Sequence, residues 1–415
     1  MKVLMISEYF YPFGKGGGEI SAFLLAKELA KSGIKVHVLT SGFKGLKKRQ
    51  TINKVIIHRL LKTGNDPTKV KDNIKRIICF EKSLLRQVEK LDKKENFDII
   101  HCMNISSMPA VKLKNKIKKK FVLHVNSPVA FCPKGTLMYK DKETCERTCT
   151  RTTFLGCHLN SKLIGKTNLR FYLKYNPFII YVIRKRFEEY QNLIKKFDFY
   201  MPISSFMKKR LLTFGIAKNK VKVIYNLTDF ERFFKLKQPK NKTPKILYLG
   251  PYTKPKGPHL IIKALKKIKL PYEANFYGKG PLGNDLIREA HNLPINIHKQ
   301  VNYSKIPKIL GEHDILVFPS LVSEAFGRVV LEACAAGKIV IASRIGGVTD
   351  IIKHNKTGLL FEPGDVNELK SLLEYVLRRD IHISLKQVKK RINKKFSYEY
   401  SLSKIQKIYK KLIKR

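Results

Sequence analysis

Two carboxylates, Glu324 and Glu332, stand in the segment SEAFGRVVLEACAAGKIVIASRIGG at 323–347. At about 1.5 Å of rise per residue, a helix between them would set the two groups roughly 12 Å apart along its axis. One could then hold the hydroxyls of a sugar while the other holds a ribose diol. The amides of Phe326 and Gly327 fall at the start of that helix, where unpaired N–H groups and the helix dipole favour phosphate. Two solvated glutamates on a helix would give the same spacing. The apolar strand DILVF before the segment and the pair Gly346–Gly347 within it favour a site.

Four of the seven cysteines, Cys132, Cys145, Cys149 and Cys157, fall in one short span with His158 adjacent. Four thiolates suit a tetrahedral structural zinc ion or another thiolate-bound metal, although two close Cys-x-x-Cys pairs are absent. A disulfide pair, disfavoured in a reducing compartment, and free thiols are the other readings. Cys79, Cys102 and Cys334 stand in apolar surroundings and read as small buried hydrophobes. The stretch 168–197 interleaves Phe171, Tyr172, Phe178 and Tyr181 with Arg170, Lys174, Arg184, Lys185 and Arg186. It reads either as a helix lying at a membrane interface or as aromatic packing for a core, kinked at Pro177.

The elements that must position these groups alternate along the chain. VLMIS (3–7) predicts a strand, the Gly-rich loop at 14–18 leads into a helix near 19–32, and VHVLT (36–40) predicts a second strand. FDIIHC (97–102) and FVLHVN (121–126) repeat the pattern. The polar, Pro-bounded run QPKNKTP (238–244) reads as a linker. The pattern then restarts with ILYLG (246–250), a helix at 257–269, ANFYG (274–278), DILVF (314–318), KIVIA (338–342) and GLLFE (358–362). Short apolar strands alternating with amphipathic helices predict parallel, doubly wound sheets. The expected fold is α/β, with two Rossmann-like domains at 1–228 and 243–395 facing a central cleft, and ligands bound at the strand C-terminal ends. The first domain carries the Cys-bearing insertion at about 132–160. The basic amphipathic helix 396–415 is expected to cross back to it.

The length of 415 residues agrees with more than one domain. A formal charge of +52, from 84 Lys+Arg against 32 Asp+Glu, points to polyanions: nucleic acid, an anionic membrane surface or phosphate-bearing substrates. A Lys-rich composition spread over the whole chain is the plainer explanation. No helix-turn-helix, zinc-finger or RNA-binding signature is present, so nucleic acid is not an expected partner. MKVLMI is too short for a signal peptide, and no apolar run approaches the roughly 20 residues of a membrane span. The expected location is the cytoplasm, with peripheral contact at the inner face of the cell membrane.

SEAFGRVVLEACAAGKIVIASRIGG and the following TGLLFEPGD (357–365) resemble the donor-binding region of glycosyltransferase family 4. PFGKGGGEISAFLLAKELAKSGIKVHVLT, FDIIHCMN, VKVIYNLTDFERF, ILYLGPYTKPKGPHLII, FYGKGPL and PKILGEHDILVFPS resemble other landmarks of that family; residues about 134–200 match poorly. The resemblance implies a GT-B architecture and a retaining glycosyltransferase. It implies transfer from a nucleoside diphosphate sugar to a glycan or lipid-linked acceptor, the first domain holding the acceptor, with no metal needed for the chemistry. It also implies roles. Glu324 with Ala325, Phe326 and Gly327 would hold the donor sugar and diphosphate, Glu332 the ribose. Lys256 would neutralise the diphosphate, and Gly16 and Gly17 would let the backbone approach the same phosphates.

Two positions depart from the family pattern. An Arg is usual where Pro251 stands, and Lys254 is the nearest substitute, a point charge in place of a fork. A His is usual where Asn126 stands, and His124 lies two residues earlier. Either Asn126 orients the acceptor and His124 is a packed histidine, or His124 serves the site. The rival readings are a non-catalytic polyanion-binding protein on this fold and a nucleotide-sugar epimerase, the latter opposed by SEAFGRVVLE.

Overall fold

The computed structural model describes residues 1–12, 17–64, 70–141, 143–161, 175–379 and 383–414. The chain divides into two units, one of Met1–Leu227 with Tyr398–Arg415 and one of Thr228–Ser397.

The first unit is built on a sheet of seven strands: β1 (Lys2–Ile6), β2 (Lys35–Ser41), β3 (Arg49–Ile52), β4 (Val55–Leu61), β5 (Ile99–Cys102), β6 (Lys120–Val125) and β9 (Phe199–Pro202). Their order is β3-β4-β2-β1-β5-β6-β9, parallel except for the β3–β4 pair. The apolar runs VLMI, IIHC and FVLHV are buried throughout, as strands covered on both faces must be. Ala22, Leu25, Ala26 and Leu29 form one stripe of the helix Gly17–Lys31 and pack into that core. The helix Tyr398–Ile413 adds Ile405, Ile408 and Tyr409 to the same core. Its Tyr409 hydroxyl meets Nδ1 of His101 at 2.6 Å.

The hairpin β3–β4 is absent from the strand pattern read above. Asn53 and Lys54 turn it with φ of 50° and 65°, a conformation that Asn tolerates better than most residues. The Cys-bearing insertion folds as a second hairpin, β7 (Met138–Tyr139) against β8 (Glu143–Thr144), followed by the helix Arg151–Leu159. Pro177 lies where the described chain resumes its helical course. It is the first residue of the helix Pro177–Leu193, and the Asn176 side chain accepts from the amides of Phe178 and Ile179. Phe187, Tyr190 and Leu193 are buried, whereas Phe178 and Tyr181 are exposed. Arg170, Phe171, Tyr172 and Lys174 lie outside the described residues. Among the described residues no helix is long and apolar enough to cross a membrane.

The second unit is a parallel sheet of six strands: β10 (Lys245–Leu249), β11 (Glu273–Gly278), β12 (Ile295–Lys299), β13 (Ile315–Phe318), β14 (Ile339–Ser343) and β15 (Leu359–Phe361). Their order is β12-β11-β10-β13-β14-β15. The polar run at 238–244 is not a free linker. Gln238 donates to the Ala336 carbonyl at 3.0 Å, and Asn241 donates to Asp314 at 2.9 Å, so both amides bind this unit. The chain enters the unit upstream of that run, at Thr228.

Candidate functional site

In the second unit the strand order reverses at β10: β11 and β12 lie to one side, β13 to the other. In an open α/β sheet the loops leaving such a pair of strands diverge and open a crevice at their carboxyl ends. Lys256 stands in the loop after β10, in the 3-10 turn Lys254–Lys256. Glu324 stands in the loop after β13. Their side chains meet, Lys256 Nζ lying 2.5 Å from Glu324 Oε1. Ser320 Oγ donates to the same oxygen at 2.9 Å.

Backbone packing holds this geometry. The Leu321 amide donates to the Pro255 carbonyl at 2.8 Å, and the Gly347 amide to the Glu324 carbonyl at 2.7 Å. At Gly257 a Cβ would collide with the Pro319 carbonyl oxygen, and at Gly346 with that of Glu324. The two glycines therefore let three loops close on one another. Ala325, Phe326 and Gly327 complete the strand-to-helix turn. Phe326 is buried against Phe396, and Gly327, with φ of 91°, precedes the helix Arg328–Ala335.

The helix begins at Arg328, so Glu324 lies before it. The roughly 12 Å separation expected for one continuous helix does not apply. Glu332 is 1% exposed. Its Oε1 accepts from Arg328 Nε at 2.8 Å and from the Tyr303 hydroxyl at 2.5 Å. The Tyr303 ring has the Arg232 guanidinium 4.4 Å and that of Arg328 5.1 Å from its centre. Burial opposes the charge on Arg328, but the Glu332 carboxylate and Tyr303 outweigh it and hold its pKa above the ordinary value. Burial first, and then Glu332, pushes the Tyr303 phenol up to about 12. Sequence reasoning picks out neither Tyr303 nor Arg328 as partners of Glu332. The i, i+4 spacing of Arg328 and Glu332 on a helix is the one signal available. Pro251 and Lys254 are both exposed.

The first unit repeats the arrangement. Its order reverses at β1, with β2 on one side and β5 on the other. A cavity of 380 Å³ opens there, lined by Ser7 and Glu8 after β1, Asn104 after β5, Asn126 after β6, and Arg76 and Tyr190 from two helices. Asn126 Nδ2 donates to the Met103 carbonyl at 2.7 Å, and a Cβ on Gly18 would lie 3.4 Å from that nitrogen. Gly18 therefore comes close to Asn126. Gly17 opens the helix Gly17–Lys31, and Gly16 lies outside the described residues. Glu8 is 2% exposed. It accepts from Arg76 at 2.5 and 2.6 Å through its two oxygens and from Thr63 Oγ1 at 2.9 Å. Against the penalty of burial, Glu8 raises the Arg76 pKa. Nothing in the sequence pairs Glu8 with Arg76.

His124 does not line this cavity. It is buried in the sheet, its ring stacked 5.6 Å from that of His101, and neither ring nitrogen has a hydrogen-bond partner among the described residues. Burial lowers its pKa to about 4. Of the two readings left open for this pair, the packed histidine is the one with a structural counterpart, because β6 ends at Val125 and only Asn126 passes beyond it.

Cys132, Cys145 and Cys157, three of the expected zinc set, each act electrostatically on the fourth, Cys149. All four are free, and among the described residues no group of three or more His, Cys, Asp or Glu is arranged to hold a metal ion. Burial, and next the neighbouring Cys132, pushes the Cys149 thiol up to about 12.

Comparison with known proteins follows this division of the chain. Residues 15–232 match the family model for Glycosyltransferase Family 4, and residues 229–395 match the model for Glycosyl transferases group 1. An uncharacterised glycosyltransferase of Methanocaldococcus jannaschii is 31% identical over 172 residues, which are 40% of this chain and 48% of that protein. The match thus spans about half of that relative. A second from the same organism is 24% identical over 445 residues, covering 99% of this chain and 98% of the other. The crystal structure of Anabaena HepE in complex with UDP-glucose superposes with a TM-score of 0.69 at 16% identity, covering 99% of this chain and 100% of that one.

Proposed function

The chain is a glycosyltransferase of family 4 with the GT-B architecture of two Rossmann-like domains, and on that premise we propose that it transfers a sugar from a nucleoside diphosphate sugar, with retention of anomeric configuration, to a glycan or lipid-linked acceptor. The observation that carries this reading is the Lys256–Glu324 pair at 2.5 Å, set at the switch point of the second sheet beside a helix N-terminus. HepE, of like fold, binds UDP-glucose, which supports the same donor class here.

In this reading each group has a task. As the bond from the anomeric carbon to the diphosphate oxygen breaks, negative charge grows on the leaving group. The Lys256 ammonium and the amides at Phe326–Gly327 stabilise that charge. Lys256 leaves Glu324 to do so, which frees the Glu324 carboxylate to accept hydrogen bonds from sugar hydroxyls. Glu332 takes the ribose, with Tyr303 and Arg328 fixing its carboxylate. The acceptor hydroxyl is oriented by Asn126 of the first unit. It bonds to the anomeric carbon and gives its proton to the leaving diphosphate on the same face, so no protein base is needed. The chemistry uses no divalent metal. The acceptor is met in the cytoplasm or at the inner face of the cell membrane.

Purified protein offered a panel of nucleoside diphosphate sugars, with acceptors and a chelator present, tests this. The expected result is release of one nucleoside diphosphate and an α-linked product from an α-linked donor. An inverted linkage would overturn the retaining mechanism. Sugar isomerisation without transfer would favour the epimerase reading.

A further inference from the structure

Away from the candidate site, the first unit contains a recess of 590 Å³ whose charge is all of one sign. Six lysines line it: Lys208, Lys218, Lys222, Lys404, Lys407 and Lys411. Among the described residues no carboxylate lines it and none of the six makes an ion pair. The contrast with neighbouring cations is direct. Lys209, next to Lys208, pairs with Glu146, and Lys112 and Lys114 pair with Glu81 and Asp198. The floor is apolar, from Phe199, Val221 and Ile408.

Four elements converge to make it. Lys404, Lys407, Ile408 and Lys411 share one face of the helix Tyr398–Ile413 at i, i+3, i+4 and i+7. Lys208 comes from the helix Ser205–Thr213, Lys218 opens the turn Lys218–Lys220, and Lys222 follows that turn. Phe199 is the first residue of β9. The sheet is parallel here, so the recess lies at the amino ends of the strands, whereas the Asn126 cavity lies at their carboxyl ends. The two are separate.

Surface lysines on a chain of charge +52 are expected anywhere. Six around one recess, with every carboxylate left out, is a different arrangement. The recess is on the order of one Debye length across, so the six fields add inside it and are not screened from one another. Its volume suits a discrete ligand. A flat bilayer would meet the rim and leave the floor empty.

We propose that this recess binds a small soluble anion bearing several phosphate groups. The ammoniums take the phosphate oxygens as point charges, and the apolar floor carries the uncharged part of the ligand or stays covered by it.

Isothermal titration of the full chain with sodium tripolyphosphate at about 0.15 M salt tests the site. The Lys256→Ala background is used, so that the donor loop adds no ammonium. Lys404→Gln, Lys407→Gln and Lys411→Gln together are compared with Lys44→Gln, Lys47→Gln and Lys48→Gln, three exposed lysines elsewhere on the same unit. Circular dichroism and a melt establish that both variants are folded. The expected result is a loss of at least about tenfold in affinity for the first set and under about twofold for the second, given the charge each removes from the recess. Equal losses would mean diffuse attraction and overturn the proposal. So would unchanged binding in the first set. Phosphatidylglycerol vesicles and a single-stranded oligonucleotide are offered in parallel. Capture of either that depends on Lys404, Lys407 and Lys411, without tripolyphosphate binding, would overturn the small-anion assignment.

Discussion

The Tyr303 hydroxyl donates to Oε1 of Glu332 at 2.5 Å, and Arg328 donates to the same oxygen at 2.8 Å. One oxygen of the carboxylate is thus committed within the chain, which orients the group as a whole. Glu332→Ala would remove the carboxylate that pairs with the largely buried Arg328 guanidinium. Loss of one member of a buried pair costs about 3–5 kcal/mol. That variant should therefore melt earlier as well as bind donor poorly.

Tyr303→Phe separates the two effects. It removes two hydrogen bonds to charged groups, the one donated to Glu332 and the one accepted from Arg328, each about 1.5–3 kcal/mol, and keeps the ring beside Arg232 and Arg328. Donor KM should rise by roughly tenfold or more, with kcat nearly unchanged and a smaller loss of melting temperature than in Glu332→Ala. Steady-state kinetics with a differential scanning melt check this. A fall in kcat with KM unchanged would remove Tyr303 from the donor site.

Lys256→Ala should act on the chemical step. An ammonium that follows charge developing on a leaving group contributes more in the transition state than in the bound ground state. A drop in kcat of about 10²–10³ is expected, the scale of losing one preorganised donor. Donor affinity, read by titration of the nucleoside diphosphate sugar, should fall by less.

Gly346→Ala tests the loop packing. A methyl group there meets the Glu324 carbonyl oxygen, and φ of 54° already disfavours a side chain. Relief requires the Glu324 loop to shift. A displacement of about 1 Å in a positioning group can cost about 10²-fold, so kcat/KM should fall on that scale while far-UV circular dichroism is retained.

His124 predicts a pH dependence of stability. Its folded pKa, about 4, lies below the ordinary 6.5. The unfolded chain therefore takes up the proton at a higher pH than the folded chain does. No stability is lost to this group above about pH 6.5, and it is lost progressively as pH falls toward 4. His124→Met removes the effect. Relative to wild type, the variant should gain about 2 kcal/mol between pH 7 and pH 5, at 1.36 kcal/mol per pH unit. Urea denaturation at the two pH values measures it. Turnover should stay within about threefold of wild type, whereas loss of a general base would cost about 10²–10⁴.

The strands that the sequence predicts are those whose apolar runs are covered on both faces. VLMI, FVLHV and ILVF are buried along nearly their whole length, and continuous burial leaves a continuous apolar run. β3 escapes because Arg49–Ile52 is only half-buried, so its residue types carry little pattern, and the mostly buried β4 escapes because His58 and Arg59 interrupt its apolar run. Lys256 and Glu324 are legible because each follows a recognisable strand. Glu8, Arg76 and Tyr303 are not. Glu8 and Arg76 are joined across 68 positions, and Tyr303 and Glu332 across 29. Pairings of that kind are set by the order of strands in the sheet, which periodicity does not encode.

The return of the chain at Tyr398 to the first unit has a consequence for biosynthesis. The second unit is encoded as one uninterrupted stretch, Thr228–Ser397, and can fold as it leaves the ribosome. The first unit cannot close when its own strands are finished. His101, made early, waits for the Tyr409 hydroxyl, and the core around Ile34 and Ile57 waits for Ile405 and Ile408. A nonsense codon near 398 would thus spare the half made later and leave the half made first with an open apolar face, exposed to proteases and to aggregation.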